Sequence, residues 1–198
     1  MTTEDLEKLI EAGTETIQVD YKASMAWKVQ SFVKDFLAMS NLQDGGWLII
    51  GVKENDDGTY ERTGILPEHK STYIKDTMKD QLSPFTDPYV DFLLDTVSDA
   101  NKLEYVVIKI EPFKEIPVIC KRNGREVREG TIYYRNTNRR VESAAISNST
   151  DMRDLIERAM LKMRYRARNL GYPLSSVTEA EVVMKALDER LKVERGDL

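Results

Sequence analysis

The chain has 198 residues, room for one domain with a sizeable core or for a domain plus a small appendage. Hydrophobic residues make up 41% and charged residues 32%, an ordinary globular balance, and no apolar run nears the roughly 20 residues that a membrane helix needs. The net charge of −5 is uneven: residues 1–100 carry 9 Lys/Arg against 19 Asp/Glu and the rest 20 against 15, which excludes indiscriminate nucleic-acid binding but allows a basic face on the second half.

The acidic, amphipathic start "MTTEDLEKLIEAGTE" predicts a helix over about 3–12 and is unlike a secretory signal or a transit peptide. "TIQVDYK" alternates as a strand, with Ile17, Val19 and Tyr21 facing one way and Gln18, Asp20 and Lys22 the other. Val29, Phe32, Val33, Phe36 and Leu37 follow helical spacing over about 26–40, and "QDGG" ends that helix. "WLIIGV" is a buried strand. "ENDDG" is a hairpin turn, and "TYERTGI" returns from it. A helix is expected over about 68–82, then two strands in "YVDFLLDTV" and "KLEYVVIKIE". "IPVICKRNGREVREGTIYYRN" reads as a ribbon turning at "RNG". Two helices close the chain. One runs from about Ser149 to Asn169, and the next starts at the capping box "TEAE" of Thr178 to Glu181.

This order predicts an α+β fold: a mixed β-sheet with flanking helices over residues 1–148, followed by a C-terminal helix pair over 149–198. A single cysteine, Cys120, rules out an internal disulfide and points to a reducing, cytoplasmic setting. A single histidine, His69, rules out multi-histidine metal sites within one chain and is read as a solvated surface residue. Any metal would then be held by carboxylates, which suits Mg or Mn, and no haem, flavin or zinc is expected.

"ETIQVDYK", a helix ending "MSN", "DGGWLIIGVKE" and "IYYRNTN" together resemble the Schlafen-type AlbA-like domain, once labelled a divergent AAA or ATP-binding domain. Asn41, Gly45, Gly46, Gly51 and Val52 carry the most specific part of that likeness. In nuclease members three carboxylates are taken to hold a divalent ion for RNA cleavage, and the resemblance implies Glu15, Asp20 and Glu54 for that role, with Lys22 as a phosphate contact. Asp20 stands where the pattern has Glu, and Glu54 where it has Asp. Glu15 and Asp20 can converge only if Glu15 lies in the bend before the strand. No Gly-x-x-x-x-Gly-Lys-Ser/Thr occurs, and Gly45-Gly46 precedes a strand rather than a helix, against a phosphate cradle for ATP.

Between 121 and 140 lie Arg122, Arg125, Arg128, Arg135, Arg139 and Arg140, interleaved with Tyr133 and Tyr134. Arginines for phosphates and an aromatic for base stacking make a nucleic-acid surface. The two tyrosines face opposite ways, so one belongs to the core; Tyr134 is the expected platform, and Arg135 matches the arginine of the family's Tyr-x-Arg. The expected function is nucleic-acid binding, RNA favoured, by a small divalent-metal-dependent nuclease. The alternatives are a non-catalytic DNA- or RNA-binding regulatory module and a nucleotide-binding protein. Apolar stripes on the closing helices point to a homodimer, and no membrane partner is expected.

Overall fold

A computed structural model describes residues 1–11, 15–136 and 142–171. It is an α+β fold, as the element order implies. The central sheet runs β1 (Val19–Lys22), β2 (Gly46–Ile50), β7 (Glu104–Ile110), β6 (Phe92–Ser98). β1 lies parallel to β2, and the other neighbours are antiparallel, so the sheet is mixed.

Strand alternation decides what each face buries. Ile49, Val107, Val97 and Tyr105 meet Leu6 and Ile10 of α1 (Thr3–Glu11) on one face. Leu48, Ile50, Val106 and Ile108 meet Phe32, Val33, Phe36 and Leu37 of α2 (Val29–Ser40) on the other. The predicted spacing in both helices is the spacing that packs.

The "WLIIGV" strand bends at Gly51. Beyond it β3 (Val52–Glu54) leaves the sheet and pairs with β4 (Tyr60–Arg62) across the "ENDDG" turn. The helix expected over 68–82 is two: α3 (Pro67–Lys70) and α4 (Lys75–Leu82). Its interruption has a reason, because the Thr72 hydroxyl turns to the His69 carbonyl and accepts the Trp27 N–H. His69 is not simply solvated: its Nδ1 lies 2.9 Å from the Ser24 hydroxyl.

The expected ribbon over 116–136 forms only in part: the Gly124 N–H donates to the Val127 carbonyl at the "RNG" turn, the Cys120 N–H to the Thr131 carbonyl and the Gly130 N–H to the Cys120 carbonyl, but no regular strand pair follows. β5 (Thr86–Asp87) pairs with the two-residue β8 (Ile119–Cys120), and β9 (Tyr133–Asn136) pairs with β10 (Glu142–Ala145). Residues 121–132 between them form an irregular loop. Four Lys/Arg and two Glu there leave few apolar side chains to bury in a sheet. α5 (Ser149–Asn169) has the predicted bounds. The chain divides into two compact units inside this helix, after Ala159, and Leu155 and Ala159 are buried in the core of the first. The second closing helix lies outside the described residues.

Asn41, at the end of α2, knots three segments together. Its amide nitrogen donates to the carbonyls of Leu37, Val118 and Tyr133, and its amide oxygen accepts the Val118 N–H. Gly45 then turns into β2 with φ +69°, where a Cβ would sit 1.9 Å from the Ile110 carbonyl oxygen. Gly58, in the β3–β4 turn, shares the positive φ (+81°) but faces open space. Gly45→Ala is therefore expected to cost roughly 3 kcal/mol or more, and Gly58→Ala about 1 kcal/mol, the backbone contribution alone. Urea unfolding of the two variants checks this; equal midpoints would refute the close-approach account.

Candidate functional site

β1 directs Asp20 and Lys22 toward α2, and that placement builds a buried charge cluster. Arg135 of β9 is 1% exposed, and its Nη1 lies 2.9 Å from Asp20 Oδ1. Its Nη2 reaches toward the Thr16 and Val19 carbonyls. Lys22 Nζ sits 2.6 Å from Asp20 and 3.2 Å from Asp35 of α2. The Ser143 hydroxyl of β10 donates to Asp35 at 2.7 Å. Glu15 lies just before the tight turn that the Thr16–Val19 bridge closes, accepts the Tyr21 N–H, and comes within 3.9 Å of Arg135. Three carboxylates thus share two cations.

Their protonation follows from burial and company. Burial alone would raise Asp20, but Lys22 and Arg135 outweigh it and hold its carboxyl below the ordinary range. Burial also works against the Lys22 ammonium, yet Asp35 and Asp20 keep it charged and raise its pKa. Asp35 is raised by burial and by Asp20, against the pull of Lys22 and Ser143. Burial, then Asp20, pushes Glu15 up to about 7, so this side chain changes charge near neutrality.

The sequence-predicted residues divide three ways. Glu15, Asp20 and Lys22 are brought together. Glu54 stands exposed on β3, beyond the Gly51 bend. Among the described residues no three His, Cys, Asp or Glu side chains are placed to hold a metal ion. The Asp20 oxygens face Arg135 and Lys22 instead. The donor set as arranged does not fit the metal centre that the resemblance implied.

Arg135 is corrected as a phosphate contact, because a guanidinium 1% exposed and paired with Asp20 has no surface to offer. Tyr133 is the core tyrosine, as expected of one of the pair. Tyr134 is not an open platform: the Arg158 guanidinium lies over its ring at 5.4 Å, and its hydroxyl donates to Asp154. Arg139 and Arg140 lie outside the described residues. Arg122, Arg125 and Arg128 are exposed on the loop, and Arg122 packs over Phe85.

Residues of that loop, of β9 and β10, and Lys34 of α2 border an open, polar cleft of about 790 Å³. Lys34, Arg125 and Arg128 line it together with the carboxylates of Glu126 and Glu142, and Ser143 is also part of the lining. Ser143 connects the two features, since it lines the cleft and holds Asp35. Asp35 and Ser143 were missed in the sequence. One signal was available for Asp35, which stands three residues after Phe32 and four before Met39, on a face that helical spacing buries.

The family description "Schlafen, AlbA_2" matches residues 15–144, and the chain belongs to that family. The membership supports a nucleic-acid-related role. No match is found among curated proteins. Among solved structures, the DIP2311 protein of Corynebacterium diphtheriae is similar, with 13% identity and a TM-score of 0.47; the match covers 76% of this chain but only 27% of that one. Among the described residues no helix is long and apolar enough to cross a membrane.

Removing Arg135 would leave Asp20 buried against Lys22 alone. Arg135→Met is expected to lower stability by roughly 3–5 kcal/mol in denaturant unfolding, well beyond the loss of a surface pair. An effect under about 1 kcal/mol would mean that the cluster relaxes and admits water.

Glu15 gives a second expectation. Its folded value lies above its ordinary 4.5, so the fold prefers the neutral carboxyl. The stability that Glu15 supplies is full below pH 4.5 and is lost as the pH rises through about 7. Asp35 acts in the same direction and Asp20 in the opposite one. Glu15→Gln should flatten the decline between these two pH values; a parallel curve for wild type and variant would refute the assignment.

Proposed function

We propose that this chain is a nucleic-acid-binding module that takes a phosphate backbone into the cleft between the 121–132 loop, α2 and the β9–β10 hairpin. The observation that carries this reading is the cleft itself. It is polar and about 790 Å³ in volume, with Arg125 and Arg128 exposed at its edge on a chain that is otherwise acidic. Guanidinium groups suit phosphate because their donors form a planar fork. Lys34 adds a third cation, although Glu126 holds it at 2.9 Å.

The reading is binding without metal-assisted hydrolysis. Glu15 and Asp20 support this, since their oxygens are turned to Arg135, Lys22 and a backbone N–H. DNA and RNA offer the same phosphates to these side chains, so an assay must separate them.

Fluorescence anisotropy with labelled tRNA, rRNA fragments and DNA is the test. Binding is expected to weaken with salt and to persist in EDTA. In Arg125→Ala combined with Arg128→Ala, affinity should fall across sequences, and the salt slope should become shallower by about 1 per lost contact. Unchanged binding in that double variant would remove the cleft from consideration. Mn²⁺-dependent cleavage that disappears in Glu15→Ala would restore the nuclease reading.

A further inference from the structure

α5 carries an apolar stripe that no described element covers. Ile156, Met160 and Met163 are 49%, 52% and 53% exposed, and Leu170, just past the helix end, is 61% exposed. With Ala167 they recur at alternating steps of four and three residues. That is the spacing of the seam in a helix that packs lengthwise against another helix.

The charges along α5 are polarised. Its first half holds Asp151, Asp154 and Glu157 against Arg153 alone. From residue 158 onward it holds Arg158, Lys162, Arg164, Arg166 and Arg168 and no acidic residue. Two copies side by side in the same direction would set basic end against basic end. Two copies in opposite directions set each acidic start against the other's basic end. Glu157 and Arg164 flank the stripe, are exposed, and make no ion pair with one another or with another described residue.

We propose that α5 pairs with α5 of a second copy of this chain in antiparallel orientation. Met160 of each copy packs on Met163 of the other, Ile156 on Ala167, and Glu157 of each lies beside Arg164 of the other. The two-fold axis crosses the helices between residues 161 and 162, so every contact occurs twice. No residue of this stripe lines the cleft, and the inference stands whether or not the cleft binds nucleic acid.

Sedimentation equilibrium of the full chain is the test. The expected mass is twice 22.8 kDa. Met160→Glu combined with Met163→Glu should sediment as a monomer with an unchanged circular dichroism spectrum. Glu157→Arg and Arg164→Glu should each weaken the dimer about tenfold, because each turns two attractions into two repulsions. The combined Glu157→Arg/Arg164→Glu variant should recover the wild-type association. A monomer at every concentration would overturn the proposal and leave the stripe to residues 172–198 or to a different protein. A dimer that the combined charge exchange fails to restore would overturn the antiparallel register.

Discussion

A guanidinium almost wholly withdrawn from water must have its charge met inside the fold, and Arg135 meets Asp20 at 2.9 Å. The requirement is geometric as much as energetic. β9 can place Arg135 there only by packing against α2, on the side of the sheet where Asp20 and Lys22 point, and β10 follows as its antiparallel partner. Asn41 makes the same demand from the other direction, because its amide must reach the carbonyls of Val118 and Tyr133. With β9 fixed at both places, the loop that leads into it is held alongside α2. The cleft exists because two buried polar side chains need β9 at one position. Such ties specify an arrangement more than they add stability, since desolvation offsets much of the attraction.

What the sequence made legible follows from the range of the forces involved. α1, α2, α5 and β7 are set by periodicity, which is local, and the structure has them near the expected bounds. The facing of β1 was also readable. Alternation sends Val19 and Tyr21 to the α1 side and leaves Asp20 and Lys22 for the α2 side. The break between α3 and α4 was not readable, because it depends on a hydrogen bond from Trp27 to Thr72, 45 residues away. The ribbon is cut short for a related reason. The turn signal at "RNG" is genuine, and Cys120 exchanges backbone hydrogen bonds with Thr131 and Gly130 beyond it, but the short strand of Ile119 and Cys120 pairs with Thr86 and Asp87.

The charged residues show the same limit more sharply. Sequence places Arg135 in a basic run, and composition gives an arginine in such a run to the solvent. Its partner lies 115 residues earlier. Family resemblance identified Glu15 and Asp20 as neighbours, and they do gather, but around a guanidinium and an ammonium. The single methylene that separates Asp20 from the Glu of the family pattern bears on this. A shorter side chain holds its oxygens closer to β1, where Lys22 and Arg135 already stand.

The cluster also bears on how an acidic chain could hold a polyanion. Of the cluster's three carboxylates, Asp35 meets the cleft wall at Ser143 and Asp20 shares Lys22 with Asp35; charges within a Debye length of roughly 8–10 Å would act on any phosphate placed there. Lys22 and Arg135 cancel two of them. The third is weakened by the tendency of Glu15 and Asp35 to take up a proton, the former near neutrality. The charge of the cleft is then that of its own lining, in which Lys34, Arg125 and Arg128 stand against Glu126 and Glu142. Under the binding reading, the buried ion pairs act at a distance. They contribute no contact to the ligand, yet without their internal neutralisation the same arginines would be opposed by the carboxylates of the cluster. A fold that needs Arg135 for its architecture thereby acquires a cleft whose sign differs from that of the chain as a whole.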